Sequence, residues 1–191
     1  MTNEFDITSK LKLISAHSDA PNTSDLVRQS IKLNLDIYSD VFRNNYEQTN
    51  SADVTRIALN YLNLSLSDEI LNKISCDDFV EIYSNDCVQL FRTLNVTKLM
   101  SYSLETILSG SFEDLFDREE KYTSLIVQAA GSILNCKTKY IEDFCPEHIV
   151  SERYGKKNSV VMGYKFMCAL NNPFTNEVAG ILVVEIIKPL T

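Results

Sequence analysis

The chain has 191 residues, 45% hydrophobic and 23% charged, with only five Gly and four Pro, a composition that argues for a folded globular protein and against disorder. Its formal charge is −8 and no basic cluster exceeds Lys156-Lys157, so a nucleic-acid backbone would be repelled over most of the surface. No run has the apolar length of a membrane span, and Met1-Thr2-Asn3-Glu4-Phe5-Asp6 lacks the basic start and apolar centre of a signal peptide. The five cysteines, Cys76, Cys87, Cys136, Cys145 and Cys168, are an odd number without paired spacing, which points to reduced thiols and a cytoplasmic location.

Residues 1–23 are polar and weakly patterned and read as a loose N-terminal arm containing His17, the chain's first histidine. Residues 24–75 read as a helical extension. Ser24 is placed to cap a helix, and Val27, Ile31, Leu35, Tyr38 and Phe42 follow at helical spacing. Leu26, Leu33, Ile37 and Val41 form a second stripe, so this helix is expected to be covered on more than one side, by the chain or by a second copy. Ser51 can cap a second helix with Val54, Ile57, Ala58, Tyr61 and Leu62 inward. Ser65 or Ser67 can cap a third with Ile70, Leu71 and Ile74 inward.

From residue 76 the periodicity changes. Phe79 to Tyr83 and Val88 to Leu94 are strand candidates around the turn cluster Ser84-Asn85-Asp86-Cys87. A helical pattern follows from Asn95 to Leu104, with a short turn at Ser111 to Phe116. The clearest helix spans Glu119 to Leu134, with Tyr122, Leu125, Ile126, Ala129, Ala130 and Ile133 inward. Gly131 inside it costs roughly 1 kcal/mol relative to Ala, which suggests a close packing contact there. Thr138 to Glu142 is a modest strand, and the segments around Cys145 to His148 and Tyr154 to Asn158 read as loops. Two long apolar runs, Ser159 to Leu170 and Val178 to Ile187, form a hairpin that needs cover on both faces. Strict alternation places Val160, Met162, Tyr164, Phe166, Cys168 and Leu170 together on one of them.

Strand, strand, helices, strand, strand, strand over residues 76–191 resembles the PAS sensory domain. The wording of Asp78 to Asp86 is similar to the first PAS strand and turn. Tyr102-Ser103-Leu104-Glu105 through Ser111-Phe112-Glu113-Asp114-Leu115 is similar to a passage common in PAS sequences, and Pro173 to Val184 resembles the last turn and strand. Ser101 and Cys87 stand where the family usually has Gly. GAF domains share the closing segment, and haem nitric-oxide/oxygen-binding domains share the length and final hairpin. The latter's Tyr-x-Ser-x-Arg motif has no match in this sequence, nor does its helix histidine. The fold class expected is therefore α+β, an N-terminal helical segment followed by a PAS-like antiparallel sheet flanked by helices.

Phosphate-binding glycine loops, zinc-protease motifs and nucleophile elbows are missing from the sequence. The resemblance implies a non-catalytic cytoplasmic sensor or adaptor, working as a homodimer or through a signalling partner protein. Its one place for a small ligand is the interior of the closing sheet, where Tyr122, Ile126, Met162, Tyr164 and Phe166 are the expected lining, with Cys168, Leu182 and Ala129 beside them. An ordinary packed core would use the same residues. No particular cofactor is indicated. The alternative is a haem- or metal-binding gas or redox sensor using His148, with Asp143, Cys145 and Glu147 nearby. Cys-Pro-Glu-His is not a zinc spacing, and the competing reading makes His148 a surface loop residue. The acidic run Glu113, Asp114, Asp117, Glu119 and Glu120, with Arg118 inside it, reads as a solvated helix start.

Overall fold

The computed structural model describes residues 25–44, 50–85, 87–95, 99–102, 106–107 and 112–190. The expected arm, the Ser24 cap and most of the helical pattern after Asn95 lie outside the described residues, as do the side chains of Leu26, Val27 and Phe42. Three helices open the described chain: α1 (Asp25–Arg43), α2 (Ser51–Leu62) and α3 (Asp68–Leu71). Strands β1 (Phe79–Ser84) and β2 (Gln89–Arg92) follow, then α4 (Phe112–Leu115), β3 (Phe116–Asp117) and α5 (Glu120–Leu134). The chain closes with β4 (Tyr140–Glu142), β5 (His148–Glu152), β6 (Ser159–Asn171) and β7 (Val178–Pro189). The α+β class and the order of strands, helices and strands are as expected, with two strands, β3 and β5, that the sequence does not predict.

All these strands belong to one antiparallel sheet in the order β2-β1-β7-β6-β5-β3, with β4 also on β6. The long β6–β7 hairpin is its centre. β5 pairs with the start of β6 and β4 with its far half, so both lie along the same edge of that strand. Helices α1 to α3 cover one face, where Val80, Ile82, Phe91, Leu182 and Val184 meet Ile31, Tyr38, Val54 and Leu71. Helices α4 and α5 cover the other, where Phe79, Ile181 and Val183 meet Ile107, Leu115, Ala129 and Ile133.

Strand β6 does not keep a single alternation. Tyr164 pairs with Glu185 and the next pair is Phe166 with Val184, leaving Lys165 as the extra residue of a β-bulge. One inserted residue exchanges the faces. Val160, Met162 and Tyr164 therefore share the α5 face with Met167 and Ala169, whereas Phe166, Cys168 and Leu170 join the core under α1 to α3. The expected grouping of Phe166, Cys168 and Leu182 with Tyr164 is corrected accordingly. Lys165 is tied down across the molecule: its Nζ lies 2.7 Å from Asp78 Oδ2, 3.1 Å from the Lys73 carbonyl and 3.2 Å from Ser75 Oγ.

Among the described residues, both stripes of α1 are covered by the chain itself: Ile31, Ile37, Tyr38 and Val41 are buried in one core, with Leu33 and Leu35 packed against it. The helix also finishes the sheet edge. Asn34, itself buried, donates from Nδ2 to the Leu90 carbonyl (3.0 Å) and accepts from the Arg92 amide (3.3 Å). Tyr38 donates to the Arg92 carbonyl and accepts from the Leu94 amide at 2.9 Å. These side chains stand in for a neighbouring strand, so the edge of β2 is closed to other chains.

Other expectations shift locally. Asn50, not Ser51, caps α2, and Tyr61 points outward to Asp40. Ser67 caps α3. A Cβ on Gly131 would meet nothing within 4 Å, so that glycine marks no close contact. Leu125 is exposed. Cys87 holds a positive φ of 61°, the conformation for which its place in the β1–β2 turn favours glycine. Ser101 also has a role of its own: its hydroxyl donates to Glu152 Oε2 (2.6 Å), and with its own amide and the Asn158 amide it satisfies a buried carboxylate. The five cysteines are unpaired, and among the described residues no helix is long and apolar enough to cross a membrane.

Asn34→Ala removes two side-chain hydrogen bonds from a buried strand edge, and stability should fall by about 1–3 kcal/mol. Urea unfolding of the variant measures this; an unchanged midpoint would show that α1 does not cap β2.

Candidate functional site

A cavity of about 200 Å³ lies between α5 and the sheet. Ile126, Val127 and Ala130 supply its helical wall, and Met167, Ile181 and Val183 its sheet wall. The β6 bulge is what brings Tyr164 and Met167 to the same wall. An apolar cavity of ~150 Å³ can hold benzene, so this one suits a compact ring-sized molecule.

One end is polar. Glu81, Tyr83, Tyr164, Glu185 and Arg118 all line it. Glu81 and Glu185 are each within a tenth of full burial, although they stand in apolar strands. Glu81 is fully partnered: it forms an ion pair with buried Arg92, accepts from Tyr83 Oη at 2.6 Å and from Gln89 Nε2 at 2.9 Å. Glu185 is different. Its Oε2 is buried without a hydrogen-bond partner. Burial, followed by repulsion from Glu81, raises its carboxyl well above the ordinary carboxylate range. Burial likewise holds the Tyr83 and Tyr164 phenols well above their ordinary value, so both keep their protons.

Arg118 turns inward from the acidic run. Its Nη1 donates to Tyr164 Oη (2.8 Å) and its Nε to Thr123 Oγ1 (3.2 Å), while Cζ sits 4.2 Å from the centre of the Phe112 ring. The run's expected reading as a purely solvated face is thus corrected at this one residue.

Of the five residues expected to line a pocket, Ile126 and Tyr164 do so. Tyr122 and Met162 pack in the same core beside it. Phe166 belongs to the opposite face, as the bulge dictates. The polar residues were missed, yet they had a signal: Glu81 and Glu185 each interrupt an otherwise apolar strand, where an acid is almost never buried without a partner.

His148 begins β5 and is buried, not a surface loop residue. Its ring stacks on Tyr122 with centroids 4.1 Å apart. Nδ1 lies 2.9 Å from the Pro146 carbonyl, an acceptor, so Nδ1 carries the hydrogen and the buried Nε2 is left bare. Cys145 Sγ is 3.8 Å from Nδ1. Burial lowers the histidine pKa and raises that of the thiol, which keeps both groups neutral instead of forming a reactive thiolate pair. Among the described residues no group of three or more His, Cys, Asp or Glu side chains is arranged to hold a metal ion. His17 lies outside them.

No family model matches the chain, and no curated protein matches it. Solved structures of the PAS-B domain of Drosophila melanogaster Cycle are similar to it. One is the wild type with bound ethylene glycol, and another is a tryptophan-to-alanine variant with bound glycerol. Each has 17% identity and a TM-score of 0.41, and the match covers 57% of this chain and 98% of theirs. A likeness at that level says nothing about ligand or partner.

The Glu185 carboxyl gives the site a pH signature. The folded chain keeps this proton at pH values where the unfolded chain, with an ordinary value of 4.5, has lost it. Native stability therefore falls as pH rises through that window. Glu185→Gln lacks the titration, so its stability should gain on the wild type with rising pH, by up to about 1.4 kcal/mol per pH unit. Chemical denaturation across mildly acidic to neutral pH measures this; a difference independent of pH would contradict the assignment.

Proposed function

We propose that this chain is a non-catalytic sensor or adaptor that binds a small molecule in the cavity between α5 and the sheet and passes its occupancy to a signalling partner protein or a second copy. The observation that carries the reading is the cavity itself: an apolar chamber with a few convergent polar groups at one end. A cytoplasmic setting agrees with the five unpaired cysteines.

A physical connection to the first helix supports the coupling. Glu81 on the cavity wall is paired with Arg92, and the backbone of Arg92 is held by Asn34 and Tyr38 of α1. A ligand that redistributes charge at Glu81 and Glu185 acts on the strand that α1 caps. Since Ile31, Ile37, Tyr38 and Val41 of α1 are already buried in this chain, docking of a partner on those residues would require a shift of that helix.

Methyl-resolved NMR with a library of ring-sized fragments tests the reading. Shifts should concentrate on Ile126, Val127, Met167, Ile181 and Val183, and Ala130→Leu, which fills the chamber, should abolish them. Shifts that persist in the filled variant would contradict it.

A further inference from the structure

We propose that the cavity selects small apolar amines, held as ammonium ions by the carboxylate of Glu185. The inference rests on the reading of the cavity as a ligand site and adds the chemistry of what enters it.

Two acids share this face of the sheet, and their surroundings differ. Glu81 has its charge and its lone pairs matched by Arg92, Tyr83 and Gln89. Glu185 is 3% exposed and lines the cavity; Tyr164 is its hydrogen-bonding neighbour, and its Oε2 is buried without a hydrogen-bond partner. Leaving such an atom unmatched is costly. A ligand N–H is the partner it lacks, and a charged N–H makes the stronger bond.

The groups facing Glu185 decide the sign of the ligand. Glu81 and Tyr83 face it from β1, Arg92 from β2, Tyr164 from β6 and Arg118 from the segment before α5. Arg92 is neutralised by Glu81. Arg118 is half-buried and engaged by Tyr164, Thr123 and the face of Phe112. An anion has no N–H to offer the open Glu185 oxygen, and Arg118, the cation in this lining, already donates to Tyr164 and Thr123. A cation reaching Glu185 replaces the proton that covers its charge, and that proton leaves to solvent. The apolar walls from α5 and β7 then accept the rest of a ring-sized body.

Titration calorimetry with benzylamine, benzyl alcohol and benzoate as probes tests the proposal, run in two buffers of different ionisation enthalpy to count protons. Benzylamine should bind best and release up to one proton. Its affinity should weaken about tenfold per pH unit on the acid side of the Glu185 titration. Glu185→Gln, shown to be folded by its thermal melt, should lose at least about tenfold in benzylamine affinity while keeping its affinity for benzyl alcohol. Benzyl alcohol or benzoate binding as tightly as benzylamine would overturn the amine assignment and leave the cavity reading standing, as would unchanged benzylamine affinity in Glu185→Gln. Silence from all the probes, with no fragment shifts in the chamber, would overturn both.

Discussion

The β-bulge at Lys165 governs how this molecule is put together. A central strand buried on both faces must send its side chains to two different cores, and one extra residue midway reassigns every position beyond it. Without it, Phe166 would enter the α5 side and Met167 would leave. The bulge residue is also an anchor, because the Lys165 ammonium reaches the Asp78 carboxylate and the Lys73 carbonyl at the end of the helical extension. Asp78 in turn accepts the Ser75 amide at 2.7 Å, and its carbonyl accepts Ser51 Oγ at the start of α2. The irregularity that builds the cavity wall thus also holds the helices to the sheet.

The two faces do different work. The side under α1 to α3 is packed mainly with apolar side chains, with Asn34 and Tyr38 completing the hydrogen bonding of the β2 edge. The side under α5 carries the exceptions to close packing: a cavity, two buried acids and an inward arginine. Buried ionisable groups on otherwise apolar strands are expensive unless matched. Glu81 is matched by the protein, and Glu185 is matched in part, which is why the chemistry of recognition centres on it.

Much of this architecture was legible in the sequence because it rests on local patterning. The helical stripes of α1 and α2, the α5 periodicity and the β6–β7 hairpin all show in residue spacing, and their order suggested a PAS-like sheet. Strand β5 was not legible, since Pro146 and the Gly155-Lys156-Lys157 turn made its short run look like loop, and burial of His148 depends on Tyr122 from a distant helix. The parity change in β6 is invisible to alternation when both faces are apolar. Lys165, the lone charge in that run, was its one mark. The site was half legible: Ile126 and Tyr164 follow from helix and strand patterns, whereas the roles of Arg118 and Arg92 depend on pairings between segments far apart in the chain.

The measurement that bears most directly on this account is a nuclear Overhauser map of the two faces of β6. The Met167 methyl should show cross-peaks to side chains of α5, and the Phe166 ring to the core beneath α1 to α3, including the Tyr140 ring whose centroid lies 5.3 Å away. Cross-peaks from Phe166 to Ile126 or Ala130, with Met167 facing the N-terminal helices, would mean that β6 runs without the bulge and that the cavity wall described above does not exist.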